Sequence, residues 1–265
     1  MFEYTYMQNA FWAIVIITPL FGLVGTMIVN NKLAFFSDAL GHSALTGIAI
    51  GAILGVTNPT LSMVVFGILF ALLLNRIKDL KISSRDTIIS VFSSTALALG
   101  LVILSRNGNF TKFSNYLIGD ILSIVPSEIY MLLGIAVIVL LFWYFVFNKL
   151  FAISINTSLA RSKNIPVRLI EDLFIVLVAV IVMFSIRWVG ILIINSLLIL
   201  PAASSRNISR NMRQYTFWTI LFAIFSGISG LVISFYALTA TGPTIVLVSS
   251  VIFFVTYLLR RVSED

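Results

Sequence analysis

The chain has 265 residues, of which 60% are hydrophobic and only 10% are charged. Soluble domains carry about 25% charged residues, so this composition excludes an ordinary water-soluble globular protein. The sequence contains no cysteine, which excludes disulfide bridges, thiolate metal sites and thiolate nucleophiles. The formal net charge of +7 is typical of a membrane protein whose cytoplasmic loops are basic, and it does not by itself indicate a nucleic-acid partner.

Apolar runs close to 20 residues long recur along the chain, which is the length that a helix needs to cross a hydrocarbon core roughly 30 Å thick. The runs are continuous rather than alternating, which favours helices over a membrane β-barrel. We therefore predict an all-α, polytopic bundle of transmembrane helices. In chain order, the predicted spans cover residues 10–29, 33–56, 61–74, 87–104, 129–147, 173–186, 189–203, 217–238 and 244–259.

The number of spans depends on two parts of the chain. The sixth and seventh predicted spans are short and only Arg187 and Trp188 separate them, so a tilted or re-entrant arrangement there would lower the count from nine spans to eight. The segment from Met1 to Asn9 has no basic residue, unlike the start of a signal peptide, so we expect the first run to remain as a span. We interpret residues 1–265 as a single transmembrane domain.

The basic residues predict the orientation of the bundle. If the N-terminus lies outside, only Arg106, Lys112 and Arg187 of the 17 basic residues lie outside with it. Cytoplasmic loops carry an excess of lysine and arginine, so we predict an outside N-terminus and a cytoplasmic C-terminus. The residues that this topology places inside are Lys32, Arg76, Lys78, Lys81, Arg85, Lys149, Arg161, Lys163, Arg168, Arg206, Arg210, Arg213, Arg260 and Arg261.

The second predicted span contains an acid and the sole histidine of the protein. Asp38 is the only acidic residue inside a span, and His42 follows four residues later. This spacing places both side chains on one face of a helix, and Thr46 continues the same line. A charged group in hydrocarbon costs several kcal/mol on insertion scales, so a retained pair of this kind indicates a function.

A carboxylate and an imidazole suit borderline divalent metals such as zinc, manganese or ferrous iron. Two ligands from one helix would form an incomplete and exchangeable site, which is what a transporter requires. Three other interpretations stay open from these residues alone. Asp38 could cap a helix that begins late, His42 could be a hydrogen-bonded buried histidine, or the pair could relay protons.

Small residues recur every four positions beside this polar stripe. Such a pattern allows another helix to approach at backbone distance. We therefore predict that the second span lines a path between helices or subunits, with a close-packing stripe next to the polar one. The residues of the close-packing stripe are Ala39, Ser43, Gly47, Gly51 and Gly55.

Three connections between the predicted spans contain segments with features of short helices or binding sites. Residues 151–166 are too short and polar to span a membrane, and Asn156 or Ser154 is suited to cap a short helix that ends near Pro166. This segment is either a solvated loop or a small helix that docks on a cytoplasmic partner. Residues 116–122 of the external connection predict a short interfacial helix. The basic segment 204–214 fits a positive-inside stop better than a binding site.

Three segments resemble motifs of the permeases of metal-ion ABC transporters, the ABC-3 family of zinc, manganese and iron uptake systems. Residues 36–47, FSDALGHSALTG, resemble the signature of the second span in that family. Residues 116–123, YLIGDILS, and residues 189–203, VGILIINSLLILPAA, are similar to two further motifs in the same order and spacing. Gly41, Ser43 and Thr46 replace the usual Ser, Ala and Pro of the signature, so the local geometry of this helix is expected to differ.

The resemblance implies a homodimeric, multi-pass permease in a bacterial inner membrane that imports zinc, manganese or iron. It further implies two cytoplasmic ATPase subunits, an extracytoplasmic metal-binding protein, and no permanently bound cofactor. Asp38 and His42 would face the translocation path as metal ligands. A coupling helix at residues 154–163 would contact the ATPase through Asn156, Thr157, Ser158, Leu159, Ala160 and Arg161.

The alternative is a proton- or ion-coupled secondary metal carrier, or a channel, that acts without an ATPase. The chain lacks a clear internal repeat, which counts against a secondary carrier. It also lacks the phosphate-binding motif G-x-x-x-x-G-K-[ST], so ATP would have to bind to another chain. An intramembrane hydrolase is disfavoured because the predicted spans contain a single acid. We expect a transport protein rather than an enzyme, with lipid as its environment and no nucleic-acid partner.

Overall fold

The computed structural model describes residues 2–77, 84–106 and 115–264, and these residues form helices without any strand. The prediction of an all-α fold is therefore confirmed. Lys78, Lys81 and Lys112, which the predicted topology assigns to loops, lie outside the described residues. The helices are α1 (Thr5–Asn30), α2 (Ala34–Ile53), α3 (Pro59–Ile77), α4 (Arg85–Arg106), α5 (Asn115–Ile118), α6 (Pro126–Ile155), α7 (Thr157–Ser162), α8 (Val167–Val189), α9 (Ile191–Ile208), α10 (Met212–Ala237) and α11 (Thr241–Glu264), with a 3-10 turn at Ile121–Ser123.

Seven helices in the described part of the chain are long and apolar enough to cross a membrane, namely α1, α3, α4, α6, α8, α10 and α11. This result confirms the prediction of a polytopic membrane protein. The helices α2 and α9, which correspond to the second and seventh predicted spans, are not among these seven. The polar pair Asp38 and His42 lies in α2, and α9 has only 18 residues and carries Arg206 near its end.

The surface of α6 shows directly which solvent this protein requires. The side chains of Tyr144 and Phe145 are 81% and 67% exposed, and several aliphatic residues of the same helix are more than half exposed. Soluble monomers rarely leave so much contiguous apolar surface open to water. At about 1.5 Å per residue, the 30 residues of α6 extend over about 45 Å, which exceeds the hydrocarbon thickness. An apolar environment is therefore required around this helix, and the helix is longer than the hydrocarbon core is thick.

Two helix boundaries differ from the sequence-based predictions, and glycine is the reason in both cases. The break between α8 and α9 falls at Gly190, with φ of 89°, rather than at Arg187 and Trp188. The predicted helix over residues 116–122 is interrupted at Gly119, with φ of 73°. These φ values lie in the left-handed region that favours glycine, so neither helix continues through its glycine.

The contacts divide the chain into two compact units. The first unit comprises Met1–Asn31, Ile118–Phe142 and Trp188–Asp265 and contains α1, α9, α10 and α11. In it, α1 packs against α9 and α10, and 72% of the apolar window of α1 is buried. Glycines allow this packing, because a Cβ added at Gly22 would lie 3.0 Å from the Cα of Ile220 and one at Gly25 would overlap the backbone oxygen of Leu198.

The second unit comprises Lys32–Leu117 and Trp143–Arg187 and contains α2, α3, α4 and α7 with nearly all of α8. Here α2 packs against both α3 and α4. The C-terminal end of α3 is joined to α8 by polar contacts to Asp172. The Nδ2 of Asn75 donates to Oδ1 of Asp172 at 2.6 Å, and Nη2 of Arg76 donates to Oδ2 at 2.5 Å. These two bonds hold the end of α3 next to the first part of α8, the helix that follows α7 in the chain.

The contact between α1 and α9 predicts the effect of Gly25→Ala. The added methyl group has to displace the backbone of α9, so we expect the free energy of unfolding to fall by about 1–3 kcal/mol. Thermal unfolding of the purified protein in detergent measures this change. Gly134→Ala is the control, because Gly134 lies inside α6 with nothing within 4 Å of an added Cβ, and a helical Gly→Ala change there should raise stability by up to about 1 kcal/mol. Equal stability of the two variants would contradict this packing.

Candidate metal site

The local structure of α2 determines the role of Asp38. The helix begins at Ala34, and its N-cap residue, Leu33, makes no side-chain capping bond. Asp38 therefore lies in the second turn and His42 in the third, with both residues inside the helix. The interpretation of Asp38 as the cap of a helix that begins late is wrong.

Asp38 and His42 form a close pair on α2. The Nε2 of His42 lies 3.6 Å from Oδ2 of Asp38. The side chain of His42 is 27% exposed and that of Asp38 is 45% exposed, so the histidine is not sealed in the helix packing. Two donors of one tetrahedral ion, each at about 2.1 Å from the metal, lie about 3.4 Å apart. The observed separation therefore matches the spacing of two ligands that share one divalent ion.

Thr46, the third residue of the predicted polar stripe, has a different role. Its side chain is 3% exposed, and its hydroxyl donates to the carbonyl oxygen of Ala96 in α4. A Cβ at Gly100 of α4 would lie 2.7 Å from the backbone nitrogen of Thr46, so the two helices approach at backbone distance. The accessible part of the stripe thus ends at His42, and Thr46 packs α2 onto α4.

The close-packing stripe of α2 faces the chain's own α3 at two of its glycines. A Cβ at Gly47 would lie 3.0 Å from the Cα of Met63, and one at Gly51 would overlap Oγ of Ser62. Ala39 and Ser43 of the same stripe are fully buried. The function of this stripe in a path between subunits stays a prediction, whereas its function in helix packing inside the second unit is evident.

Gly55, which shares the four-residue spacing of the stripe, ends the helix instead of packing. It has φ of 72°, and an added Cβ would meet nothing within 4 Å. Its N–H donates to Ala52 at 3.4 Å, and the N–H of Val56 donates to Gly51 at 2.9 Å. This is the hydrogen-bond pattern of a Schellman motif, in which glycine takes the left-handed position after the helix.

The other two motifs of the family resemblance meet in the first unit. A Cβ at Gly119 would overlap the backbone nitrogen of Gly190, so the two glycines touch through their backbones. Beside them, Oε2 of Glu128 accepts hydrogen bonds from Nε1 of Trp188 and from the N–H of Val125, both at 3.1 Å. No pattern in the sequence predicts this contact between Glu128 and Trp188. A long-range contact of this kind leaves no periodic signal in the sequence.

The segment predicted to couple to an ATPase forms the short helix α7. Asn156 is its N-cap, since its Oδ1 accepts from the N–H groups of Ser158 at 2.9 Å and Leu159 at 3.1 Å. Ser154 belongs to the end of α6, so the helix begins at Thr157 rather than at residue 154. Ala160 is buried beneath α7, whereas Leu159 is 53% exposed and Arg161 is also exposed.

The described residues contain no group of three or more His, Cys, Asp or Glu side chains that could hold a metal ion. As metal ligands, Asp38 and His42 would supply two donors from one chain. A tetrahedral ion takes four, and the other two have to come from elsewhere, such as water, a substrate carrier or a second copy of the chain.

Comparison with known proteins decides the family. The model of the ABC 3 transport family matches residues 3–260. This chain belongs to that family. A high-affinity zinc uptake system membrane protein, ZnuB of Haemophilus influenzae, is 32% identical over 90% of this chain and 91% of the relative. The manganese import system permease protein ScaB of Streptococcus parasanguinis is 29% identical over 97% of this chain and 91% of the relative.

A solved structure shares the fold at similar coverage. PsaBC from Streptococcus pneumoniae, in complex with Fab, contains a chain that superposes with a TM-score of 0.85 and is 27% identical. The match covers 96% of this chain and 92% of that chain. Together with the family match, these findings confirm a multi-pass ABC transporter permease of the bacterial inner membrane. They favour this function over a carrier or channel that acts without an ATPase.

Proposed function

We propose that this chain imports a divalent transition metal, zinc or manganese, as the permease of an ATP-driven transporter. The observation that carries the proposal is the pair of Asp38 and His42, whose side chains lie 3.6 Å apart on α2 and remain partly exposed. The relatives named as a zinc uptake membrane protein and a manganese import permease support these two cargoes. One oxygen and one nitrogen donor also admit ferrous iron, so the donor set does not separate the three metals.

The proposed working unit is a homodimer in which the pair of each protomer faces the two-fold axis. One chain contributes a carboxylate and an imidazole, and a two-fold axis would bring a second copy of both to the same ion. This arrangement gives the four ligands of a tetrahedral site from two identical helices. The site would open when the helices of the two protomers separate, which is how a cargo ion can be released.

The proposed topology has the N-terminus outside and the C-terminus in the cytoplasm, with α2 and α9 crossing the membrane in addition to the seven apolar helices. At about 1.5 Å per residue, these two helices measure about 30 Å and 27 Å, which is close to the thickness of the hydrocarbon core. A re-entrant arrangement of α8 and α9 would reduce the count to eight. The basic residues at the ends of α9 and α11 and at the start of α10 support a cytoplasmic location of those ends.

Two cytoplasmic ATPase subunits and an extracytoplasmic metal-binding protein complete the proposed transporter. The chain itself has no nucleotide-binding motif, so ATP hydrolysis would occur on the separate subunits. The binding protein would deliver the ion from outside, and Asp38 and His42 would hold it briefly. ATP-driven movement of the coupling helices would then open the site towards the cytoplasm.

The proposed coupling element is α7. Its cap at Asn156 stabilises a helix of only 6 residues, and its Ala160 is buried, so one face of this helix is covered. The exposed Leu159 and Arg161 provide one apolar and one cationic group for a protein partner. The bonds from Asn75 and Arg76 to Asp172 would help transmit a movement of this region to α3.

The metal site predicts the effects of Asp38→Ala and His42→Ala. Each removes one of two ligands per protomer, so we expect uptake of zinc or manganese by cells or proteoliposomes to fall at least about tenfold while the complex still assembles. Ser37→Ala is the matched control, because Ser37 lies on the same turn of α2 and is fully buried, and its hydroxyl donates to the carbonyl oxygen of Ala34 at 2.8 Å. Normal uptake in both ligand variants would refute the assignment.

The coupling helix predicts that Leu159→Asp separates metal binding from transport. A charge in place of this exposed side chain should weaken docking of the ATPase, so metal-stimulated ATP hydrolysis should fall about tenfold or more, while metal binding by the permease is unchanged. Leu238→Asp is the control, since Leu238 is also exposed, at 92%, but follows the C-terminal end of α10 and is not part of α7. Metal transport by the purified chain alone in liposomes would instead support a secondary carrier.

A further inference from the structure

The first unit contains an open cavity of about 670 Å³, and neither Asp38 nor His42 lines it. Arg206 at the end of α9, Arg210 in the connection to α10, and Arg260 near the end of α11 all line it. From the sequence alone, the basic segment 204–214, which contains Arg206 and Arg210, fits a positive-inside stop. A stop requires only that the basic residues lie on one side of the membrane, and it does not require three arginines from separate segments around one cavity.

Hydrogen bonds hold the backbone around this cavity in place. The hydroxyl of Ser205 donates to the carbonyl oxygen of Tyr215 at 2.7 Å, and Nδ2 of Asn207 donates to Oγ1 of Thr256 at 3.2 Å. These bonds connect α9 to α10 and to α11. The cavity is therefore formed by fixed elements, so a ligand would not have to order a flexible loop first.

The connection between α9 and α10 is also capped. Oδ1 of Asn211 accepts from the N–H of Gln214 at 2.9 Å, and Oε1 of Gln214 accepts from the N–H of Arg210 at 3.1 Å. This arrangement resembles a capping box, except that Gln214 accepts from Arg210, the residue before the N-cap, rather than from the N-cap itself. It fixes the backbone at Arg210, so that this arginine stays at the rim of the cavity.

The chemistry of the lining selects an anion. None of the described residues that line the cavity is acidic, and Asn207 and Ser209 add polar groups next to the three arginines. Guanidinium groups match the geometry of phosphate oxygens and can bind them through two hydrogen bonds. A phosphate-bearing ligand therefore fits this site better than a neutral or cationic one.

The position of the cavity selects the source of the phosphate. The cavity lies where one candidate span, α10, begins and another, α11, ends. Tyr257 in α11 is 50% exposed about one turn from Arg260, and a tyrosine at the end of a span is typical of the membrane interface. Basic pockets between helices at this depth contact lipid head groups. In the proposed topology this interface is the cytoplasmic leaflet.

We infer that this cavity, which we call the arginine cavity (Arg206, Arg210 and Arg260), binds the phosphate head group of an anionic membrane phospholipid. The site does not involve Asp38 or His42, and the inference does not depend on the identity of the transported metal. A bound lipid would connect the ends of α9, α10 and α11 and stabilise the first unit in the membrane.

Titration of the purified full chain in detergent with phosphatidylglycerol, followed by native mass spectrometry and by the thermal unfolding midpoint, tests this inference. Phosphatidylcholine and inorganic phosphate form separate arms. We expect phosphatidylglycerol to bind and to raise the midpoint. Each arginine near an anionic lipid contributes about a fivefold gain in affinity, so Arg210→Gln should weaken binding about fivefold and the double variant Arg206→Gln, Arg210→Gln about thirtyfold.

Arg213→Gln is the matched control. Arg213 is exposed and lies three residues after Arg210, but it does not line the cavity. It should bind the lipid within twofold of the unsubstituted chain, and all variants should unfold at the same temperature without lipid. Equal binding by the double variant, or an equal loss in Arg213→Gln, overturns the inference. So does equal protection by inorganic phosphate with the same dependence on the arginines. Loss of the ATPase subunit from the double variant with unchanged lipid binding would assign the cavity to a protein partner and likewise overturn it.

Discussion

The pairing of a carboxylate with an imidazole on α2, a helix that the proposed topology places in the membrane, is the interaction on which the proposed function depends. On insertion scales a charged side chain at the centre of a membrane helix costs several kcal/mol, so acidic residues are rare there and mark functional sites. Asp38 and His42 lie 3.6 Å apart and remain partly exposed, so they are neither caps nor sealed core residues. In the proposed transporter, a passing cation that is held by this pair and by the same pair of a second protomer would compensate the charge of the carboxylate.

The packing of α2 positions this pair without burying it. Backbone-distance contacts with α3 at Gly47 and with α4 at Thr46 hold two sides of the helix, which leaves the face with Asp38 and His42 accessible. Small residues are necessary at these contacts because apolar lipid provides no hydrophobic force between helices, so close van der Waals packing has to replace it. The same solution recurs in the first unit at Gly22 and Gly25 of α1.

Local signals in the sequence predicted much of this arrangement, and non-local contacts limited the rest. The apolar runs located the long helices, the four-residue spacing placed Asp38 next to His42, and the preference of Asn for N-caps indicated Asn156 as one of two candidate caps. The breaks at Gly119 and Gly190 were missed because a glycine in an apolar run is compatible with a helix until its φ is known. The spacing of Thr46 places it on the polar stripe, but its partner Ala96 lies in another helix and cannot be read from that spacing. The arginine cavity likewise could not be predicted, because it depends on α11 lying beside α9.

X-ray absorption at the zinc edge tests the central claim most directly. The purified full chain, free of any affinity tag, would be loaded with one equivalent of zinc per binding site. Because His42 is the sole histidine of the sequence, imidazole scattering from the bound ion can originate only from that residue. The account predicts imidazole nitrogen together with oxygen in the zinc shell of the unsubstituted chain, and its complete loss in His42→Gln. A shell of oxygen ligands alone, or an imidazole signal that survives the substitution, would contradict it.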